Sequence, residues 1–504
     1  MAAKKETTKV ERPPIITIMG HVDHGKSTLL DYIRKTSIVE TEAGGITQCL
    51  SAYEVHHKDK DNNEKRITFI DTPGHAAFSQ MRYRGASVAD IAILVVSAED
   101  GVKQQTKEAF ASIKDAGVPY IVAINKIDLP GANVEMTKQN LAENNIFVEG
   151  YGGDVPFVPI SAKTGEGVDD LLDMMLLVSE MEGLEGDEGV NAKGVIIESH
   201  LDPKKGVSAT IVIKDGVLKG GMHVVAEDSM SPVRIFENFL GKAIKEALFS
   251  SPIRIIGWSK LPDVGSAFTS YTTKKEAEEA VKKNIQDLKS GAIKITPGKT
   301  IEGMFILPLI IKADVAGMVE AIEKEIEKIQ HDNIAIKIIG SGAGDITEND
   351  IKLSCGAKNT IIIGFNVKAD AKARELAERM GVSIELFDII YKLTEWLEEE
   401  IKKRAPKVLV EETVGKAKIM KVFSKTKNKQ VVGGKVLEGV LKTKAAVKIM
   451  RRENNIGKGE IMELQQAKTK AKTVEEGNEF GTMIESATEI APGDIIEAFI
   501  SIEK

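Results

Sequence analysis

The sequence has only two cysteines, Cys49 and Cys355, among 504 residues. That is too few for a disulfide framework or a thiolate zinc site. Long apolar runs are missing as well. The stretches 91–96 and 305–311 fall far short of the ~18 residues that a membrane span needs. The opening MAAKKETTKVERPP has no apolar segment and carries two acidic residues, so it reads as neither signal nor transit peptide. A reducing cytoplasm is the expected setting. Tryptophan occurs twice, at Trp258 and Trp396, and both are expected in core or interdomain packing. No excess of basic charge is present: 68 Lys and Arg against 75 Asp and Glu leave a net −7. That balance argues against a protein coated in nucleic acid.

What the sequence does have is ordinary globular usage, 42% hydrophobic and 28% charged. Its length corresponds to three or four folded units at roughly 150 residues each. Charge is unevenly spread. Residues 404–472 hold 18 basic against 6 acidic side chains, and residues 473–504 hold 1 against 8. The first stretch is either a polyanion-facing surface or a solvated barrel face.

The pattern along the chain predicts a multidomain α/β protein with β-barrels. Residues 1–12 read as a flexible tail ended by Pro13-Pro14. Apolar strands at 15–18, 67–70, 91–96 and 120–124 alternate with helical patterns, which predicts a doubly wound, mainly parallel sheet over residues 13–185. The run EGLEGDEG after Met181 reads as a linker. Short alternating runs split by Gly turns predict a β-barrel over 190–272. A helical connector over 273–297, a second α/β domain over 298–387, a linker helix over 388–406 and a C-terminal β-barrel over 407–504 follow.

The nucleotide chemistry is written in short motifs. Gly20-His21-Val22-Asp23-His24-Gly25-Lys26-Ser27, followed by Thr28, fits the phosphate-binding loop between a strand and a helix. Its backbone N–H groups wrap a β-phosphate and the helix N-terminus adds positive potential. Lys26 supplies a point charge for the β- and γ-phosphates, and the Ser27 hydroxyl is a Mg²⁺ ligand. Asn125-Lys126-Ile127-Asp128 fixes the base, because an Asp accepts two hydrogen bonds from guanine that adenine does not offer. Ser161-Ala162-Lys163 is expected to close over that base. Asp71-Thr72-Pro73-Gly74-His75 follows a strand: Asp71 holds Mg²⁺ through water and Gly74 offers its N–H to the γ-phosphate. Thr47, in Gly44-Gly45-Ile46-Thr47-Gln48, adds a second hydroxyl to Mg²⁺, and loss of the γ-phosphate would release its loop. His75 stands where small GTPases carry a water-positioning glutamine, so His75 and Lys26 are the expected catalytic pair. The cofactors expected are GTP and Mg²⁺.

GHVDHGKS, GGITQ, DTPGH and NKID together resemble the translational GTPases. Met81-Arg82-Tyr83-Arg84-Gly85-Ala86 and Asp100-Gly101-Val102 narrow the resemblance to the bacterial initiation factor two family. So do Ile311-Lys312-Ala313-Asp314-Val315-Ala316-Gly317, Gly364-Phe365-Asn366-Val367 and Ile389-Ile390-Tyr391 further on, and Gly415-Lys416-Ala417 with Gly493-Asp494-Ile495-Ile496-Glu497 at the end. The resemblance covers essentially everything from Pro13 onward. It implies a ribosome-activated P-loop GTPase that places formylmethionyl initiator tRNA on the small ribosomal subunit and joins the large subunit. It further implies other initiation factors as partners, no membrane, and a monomer off the ribosome.

The resemblance puts Gly434, Lys468, Phe480 and Gly481 against the aminoacyl end. The chain departs from the family there. Gly434 and Phe480 stand where Cys is common, and Glu463-Leu464-Gln465-Gln466-Ala467-Lys468 lacks an arginine and an aromatic. Cys49 stands where His is usual, and the long N-terminal extension common in the family is expected to be reduced to a stub. Two other readings fit the nucleotide motifs: a specialised elongation-type GTPase, and a ribosome-binding module that uses GTP only as a conformational switch. The third-domain motifs count against the first, and intact Lys26, Thr47, Asp71 and His75 count against the second.

Overall fold

A computed structural model describes residues 9–34, 47–60, 62–290, 305–329, 334–357, 359–404, 409–426, 428–452, 454–467 and 469–503. The chain forms two compact units, residues 1–404 and 405–504.

The first unit begins with β1 (Lys9–Glu11), β2 (Ile15–Gly20), α1 (Lys26–Arg34), β3 (Ser51–Lys58) and β4 (Glu64–Asp71). It continues through α2 (Ser79–Val88), β5 (Ile91–Ser97), α3 (Gln104–Ala116), β6 (Tyr120–Asn125), α4 (Val134–Glu143), β7 (Phe157–Pro159), α5 (Val168–Glu182) and β8 (Glu185–Asp187). The sheet order is β3-β4-β2-β5-β6-β7, parallel throughout except that β3 runs antiparallel to β4. Strand β5 shows why the apolar runs are continuous. Ile91, Ile93 and Val95 join one core with α1 and α5. Ala92, Leu94 and Val96 join the opposite core with Ala109, Ile113 and Leu141. A strand covered by helices on both faces has no polar side to alternate with.

The expected flexible tail needs correction. Strand β1 pairs antiparallel with β8, so residues 9–11 are part of the fold, and so is part of the expected linker after Met181. Arg12 is buried, and its guanidinium makes two bonds to Asp90, at 2.6 and 2.7 Å. Three-residue strands are too short to show periodicity, and the Asp partner is distant in sequence. Residues 1–8 lie outside the described residues.

Seven antiparallel strands follow, in the order Ser229–Pro232, His223–Ala226, Ala267–Tyr271, Lys193–Asp202, Gly206–Asp215, Pro252–Ile256 and Ile235–Asn238. Val224 near one edge and Phe236 at the other belong to the same core cluster, so the sheet curls around a single interior. Trp258 is part of that interior. After α6 (Lys274–Ser290), a four-stranded parallel sheet runs in the order Ile334–Ala343, Phe305–Ala313, Ile361–Phe365, Ser383–Phe387. Helices α7 (Ala316–Lys328), α8 (Glu348–Ser354) and α9 (Ala371–Met380) accompany it. Helix α10 (Ile390–Arg404) buries Ile390, Leu393, Leu397 and Ile401, a stripe at three- and four-residue spacing. Trp396, half-buried, packs its ring 5.4 Å from Phe387.

In the second unit, Leu409–Lys425, Ile495–Glu503, Ala446–Arg451, Asn454–Gln466, Glu479–Ser486 and Lys429–Lys442 pair in that order. The last strand pairs back onto the first, which closes a six-stranded barrel around one apolar core.

Candidate functional site

The loop between β2 and α1 turns tightly enough to place Asp23 at φ 63° and Gly25 at φ 88°. A Cβ on Gly25 would lie 2.3 Å from Asn125 Nδ2, so the loop is pressed against the end of β6. That contact is a working one: Asn125 Nδ2 donates to His24 O at 2.8 Å, and Asn125 Oδ1 accepts from Ala162 N at 2.9 Å. One buried amide thus ties the phosphate loop to the expected base-closing loop. Asp128 is exposed, and its Oδ1 accepts from Ser161 Oγ at 2.7 Å. Ser161 and Ala162 are buried, while Lys163 is exposed.

A cleft of about 270 Å³ opens beside this frame, lined by Val22, Asp23, Gly25, Lys26, Ser27 and Thr28 on one side and by Thr47, Gly74, His75 and Lys126 on the other. Gly20 lies at the loop's start rather than in the cleft, with φ 145°, and a Cβ there would meet Val95 O at 2.3 Å. Thr72 and Pro73 are buried, with Thr72 Oγ1 donating to Ile18 O at 2.8 Å. His21 and His24 do not present free rings to the cleft. Their rings meet edge-on at 4.9 Å, and His24 Nδ1 accepts from Ser97 N at 3.3 Å. Burial pulls His24 down to about 3, so it is neutral at physiological pH.

Lys26 is buried, and its ammonium donates to His21 O at 2.7 Å. Burial pulls its pKa down to about 8, with Asp71 opposing the shift. A neighbouring phosphate would favour the charged form. The expected Mg²⁺ oxygens converge next to it. Ser27 Oγ lies 3.1 Å from Thr47 Oγ1, which donates to Asp71 Oδ2 at 3.3 Å. Two hydroxyls and one carboxylate form an all-oxygen set that fits Mg²⁺, an ion that keeps waters and substrate phosphates as its other ligands. No cluster of three or more His, Cys, Asp or Glu suited to a metal occurs among the described residues.

His75 caps a short 3₁₀ turn, Ala76–Phe78, and its Nδ1 accepts from Ala77 N at 3.2 Å. Burial lowers its pKa. The neutral ring therefore carries its proton on Nε2. Two neighbours of the site were not marked as functional by its motifs. Arg82, 1% exposed, donates to the carbonyls of Gly74 (3.1 Å) and His75 and pairs with Glu108 at 2.9 Å. Tyr391, on the first turn of α10, packs its ring against His75 with centroids 4.3 Å apart. Gln48, next to Thr47, donates to Asp388 O at 3.0 Å and accepts from Ile390 N at 3.4 Å. Arg82 and Tyr391 both lie in stretches whose only sequence signal is family resemblance.

In the C-terminal barrel, Gly434 faces Phe480 and Gly433 faces Gly481 across neighbouring strands. Gly433, Gly434, Phe480 and Gly481 line a groove of about 580 Å³ with the exposed Met420 and Phe423. Phe480 itself is a core side chain, 4% exposed, and a Cβ on Gly434 would lie 3.1 Å from its ring and 2.1 Å from Lys418 O. A side chain at 434 is excluded chiefly by the Lys418 carbonyl, with the Phe480 ring a second and looser neighbour. Lys468 lies outside the described residues.

Comparison with known proteins agrees with this layout. Residues 11–180 match the elongation factor Tu GTP binding domain, residues 191–271 match elongation factor G domain 2, and residues 274–398 match translation-initiation factor 2. Translation initiation factor IF-2 of Bacillus licheniformis is 42% identical over 501 residues, which take in 98% of this chain and 69% of that protein. The IF-2 of Lysinibacillus sphaericus is 43% identical over 98% of this chain and 65% of that protein. Among solved structures, GDP-bound aIF5B from Aeropyrum pernix is 27% identical, with a TM-score of 0.48 over 97% of this chain and 92% of that one.

Proposed function

The chain belongs to the translation initiation factor IF-2 family and is a translational GTPase; from that premise we propose that it uses GTP and Mg²⁺ to seat formylmethionyl initiator tRNA on the small ribosomal subunit, joins the large subunit, and then hydrolyses GTP when the ribosome stimulates it. The observation that supports this most is the convergence of Ser27, Thr47 and Asp71 oxygens beside Lys26 and His75 in one cleft.

In this reading the buried Lys26 ammonium binds the β- and γ-phosphates, and the loop N–H groups share their charge. Asp128 and Ser161 hold the guanine edge, with Asn125 fixing their loops to each other. Ser27, Thr47 and Asp71 hold Mg²⁺, which when bound neutralises charge on the phosphate oxygens. His75, with Nδ1 occupied by Ala77, turns Nε2 to the attacking water. Thr47 senses the γ-phosphate, and Gln48 carries that state to the start of α10. The groove around Gly434 and Phe480 receives the aminoacyl end of the tRNA.

Displacement of a fluorescent GTP analogue tests the base assignment: GTP should compete and ATP should not. His75→Ala should retain GTP affinity and lose ribosome-stimulated hydrolysis; undiminished hydrolysis removes His75 from the chemistry. Binding of the full chain to formylated against unformylated methionyl initiator tRNA tests the tRNA role. Equal binding would leave a subunit-joining GTPase with tRNA selected elsewhere.

A further inference from the structure

Arg82 is the largest fully buried side chain in the protein's described residues, and a buried guanidinium is costly unless its partners are fixed. Its partners are unusual. One nitrogen, Nη1, donates to Gly74 O and to His75 O, the two carbonyls that flank the α-carbon of His75. The other, Nη2, meets Glu108 on α3 at 2.9 Å. Rotation about φ of His75 moves the first carbonyl relative to the second, and rotation about ψ moves the second. A single immobile donor bonded to both therefore pins both torsions, here φ −68° and ψ 150°. With the torsions pinned, the direction in which the imidazole leaves the backbone is set.

Helix α3 makes the donor immobile. Ala109 and Ile113 bury one side of it in the core. Glu108 and Gln105, three residues apart and so on one helical face, hold the two halves of the site. Gln105 Oε1 accepts from Val22 N in the phosphate loop at 2.9 Å, while Glu108 holds Arg82. The phosphate loop and the Asp71–His75 loop are referred to the same rigid rod.

We propose that Arg82 is a positioning residue of the hydrolytic reaction: braced by Glu108, it fixes the backbone on both sides of His75 and so aims the imidazole at the water. The inference rests on the reading of His75 as the water-orienting group. It assigns Arg82 no contact with the nucleotide.

The test uses the full chain with ribosomes. Arg82→Met, close in length and without donors, should lower kcat of ribosome-stimulated hydrolysis at least tenfold. GDP affinity should stay within twofold, because GDP has no γ-phosphate to face the Asp71–His75 loop. Arg82→Lys keeps the charge but loses the planar fork, and should fall between. The decisive arm is the double variant: adding Arg82→Met to His75→Ala should cause no further loss, since Arg82 acts through His75. Undiminished kcat in Arg82→Met, parallel loss of kcat and GDP affinity, or a loss that multiplies with that of His75→Ala each overturns the proposal. Should Arg82→Met fail to fold, Glu108→Gln at the partly exposed end of the pair must show the same kcat loss in smaller measure, and full activity there overturns it. If His75→Ala alone keeps its hydrolysis, it is the underlying reading of His75 that fails.

Discussion

The ring of Tyr391 meets the ring of His75 edge to face, with centroids 4.3 Å apart and planes at 68°. With Nδ1 already bound to Ala77 N, this second contact leaves the imidazole little freedom to turn. An aromatic pair of this kind is worth about 0.5–1.5 kcal/mol, or roughly two- to tenfold in a population. Tyr391→Ala should therefore lower the slow, ribosome-free hydrolysis rate within that range, and Tyr391→Phe should leave it unchanged. Single-turnover phosphate release measures both. A rise in Tyr391→Ala would mean that the ring restrains, and does not support, the productive position.

Lys26 predicts a pH dependence of nucleotide binding. Burial brings its pKa to about 8, and a bound triphosphate favours the ammonium. Below pH 8 the free protein already carries the proton, so affinity is flat. Above it, binding must take up a proton, and Kd should rise by up to about tenfold per pH unit until the bound form also titrates. Titration with a fluorescent GDP between pH 7 and 9.5 checks this. Lys26→Met should bind weakly and show no such slope.

The uneven legibility of this site follows from how its parts are encoded. The phosphate loop, the Asn125–Asp128 motif and the Asp71–His75 loop are local, because each needs a strand end, a turn and side chains a few residues apart. Their mutual contacts are not local. Nothing in Asn125 itself says that its amide will join His24 O to Ala162 N. Arg82 reads as one more surface arginine on a helix until burial and two carbonyls are seen around it. Tyr391 reaches His75, and Gln48 reaches the start of α10, only through tertiary packing. The same holds for folds: continuous apolar strands announced the doubly wound sheet, whereas β1 and β8, three residues each, carry no period that a sequence could display. In the C-terminal barrel, Gly434 and Phe480 look like two independent positions, yet they are direct neighbours across adjacent strands, and the Lys418 carbonyl leaves no room for a side chain at 434.

Base selection gives a sharper test. Asp128 is exposed, with one oxygen held by Ser161 at 2.7 Å. Replacing Asp with Asn exchanges one acceptor for an N–H donor. Guanine then loses a charged hydrogen bond, worth about 1.5–3 kcal/mol, while xanthine, with a carbonyl where guanine has its amine, gains a match. Asp128→Asn should weaken GTP binding about tenfold or more and bring xanthosine triphosphate to comparable or better affinity. Competition between the two nucleotides reads this directly, and an unchanged preference for GTP would place the base elsewhere.

The buried ion pair at the start of the fold should matter out of proportion to its position. Asp90 accepts both Arg12 nitrogens, Lys214 Nζ at 2.7 Å and Ile15 N at 2.9 Å. It thereby joins the first residues, the end of α2 and the antiparallel sheet that follows. Burial raises the Asp90 pKa, but Arg12 and Lys214 outweigh it and hold the carboxyl below its ordinary value. Arg12→Ala leaves Lys214 in place and removes the two-pronged contact, so the cost should sit near the lower end for a broken buried pair, about 3 kcal/mol. For a carboxylate whose folded pKa is depressed, the stabilisation is present above its unfolded value and is lost as pH falls through the folded one. The gap between wild type and Arg12→Ala in urea unfolding should thus be full at pH 7 and shrink on acidification below the ordinary carboxylate range. A gap that stays constant on acidification below that range would mean that Arg12 acts through packing of its alkyl stem, with its charge incidental.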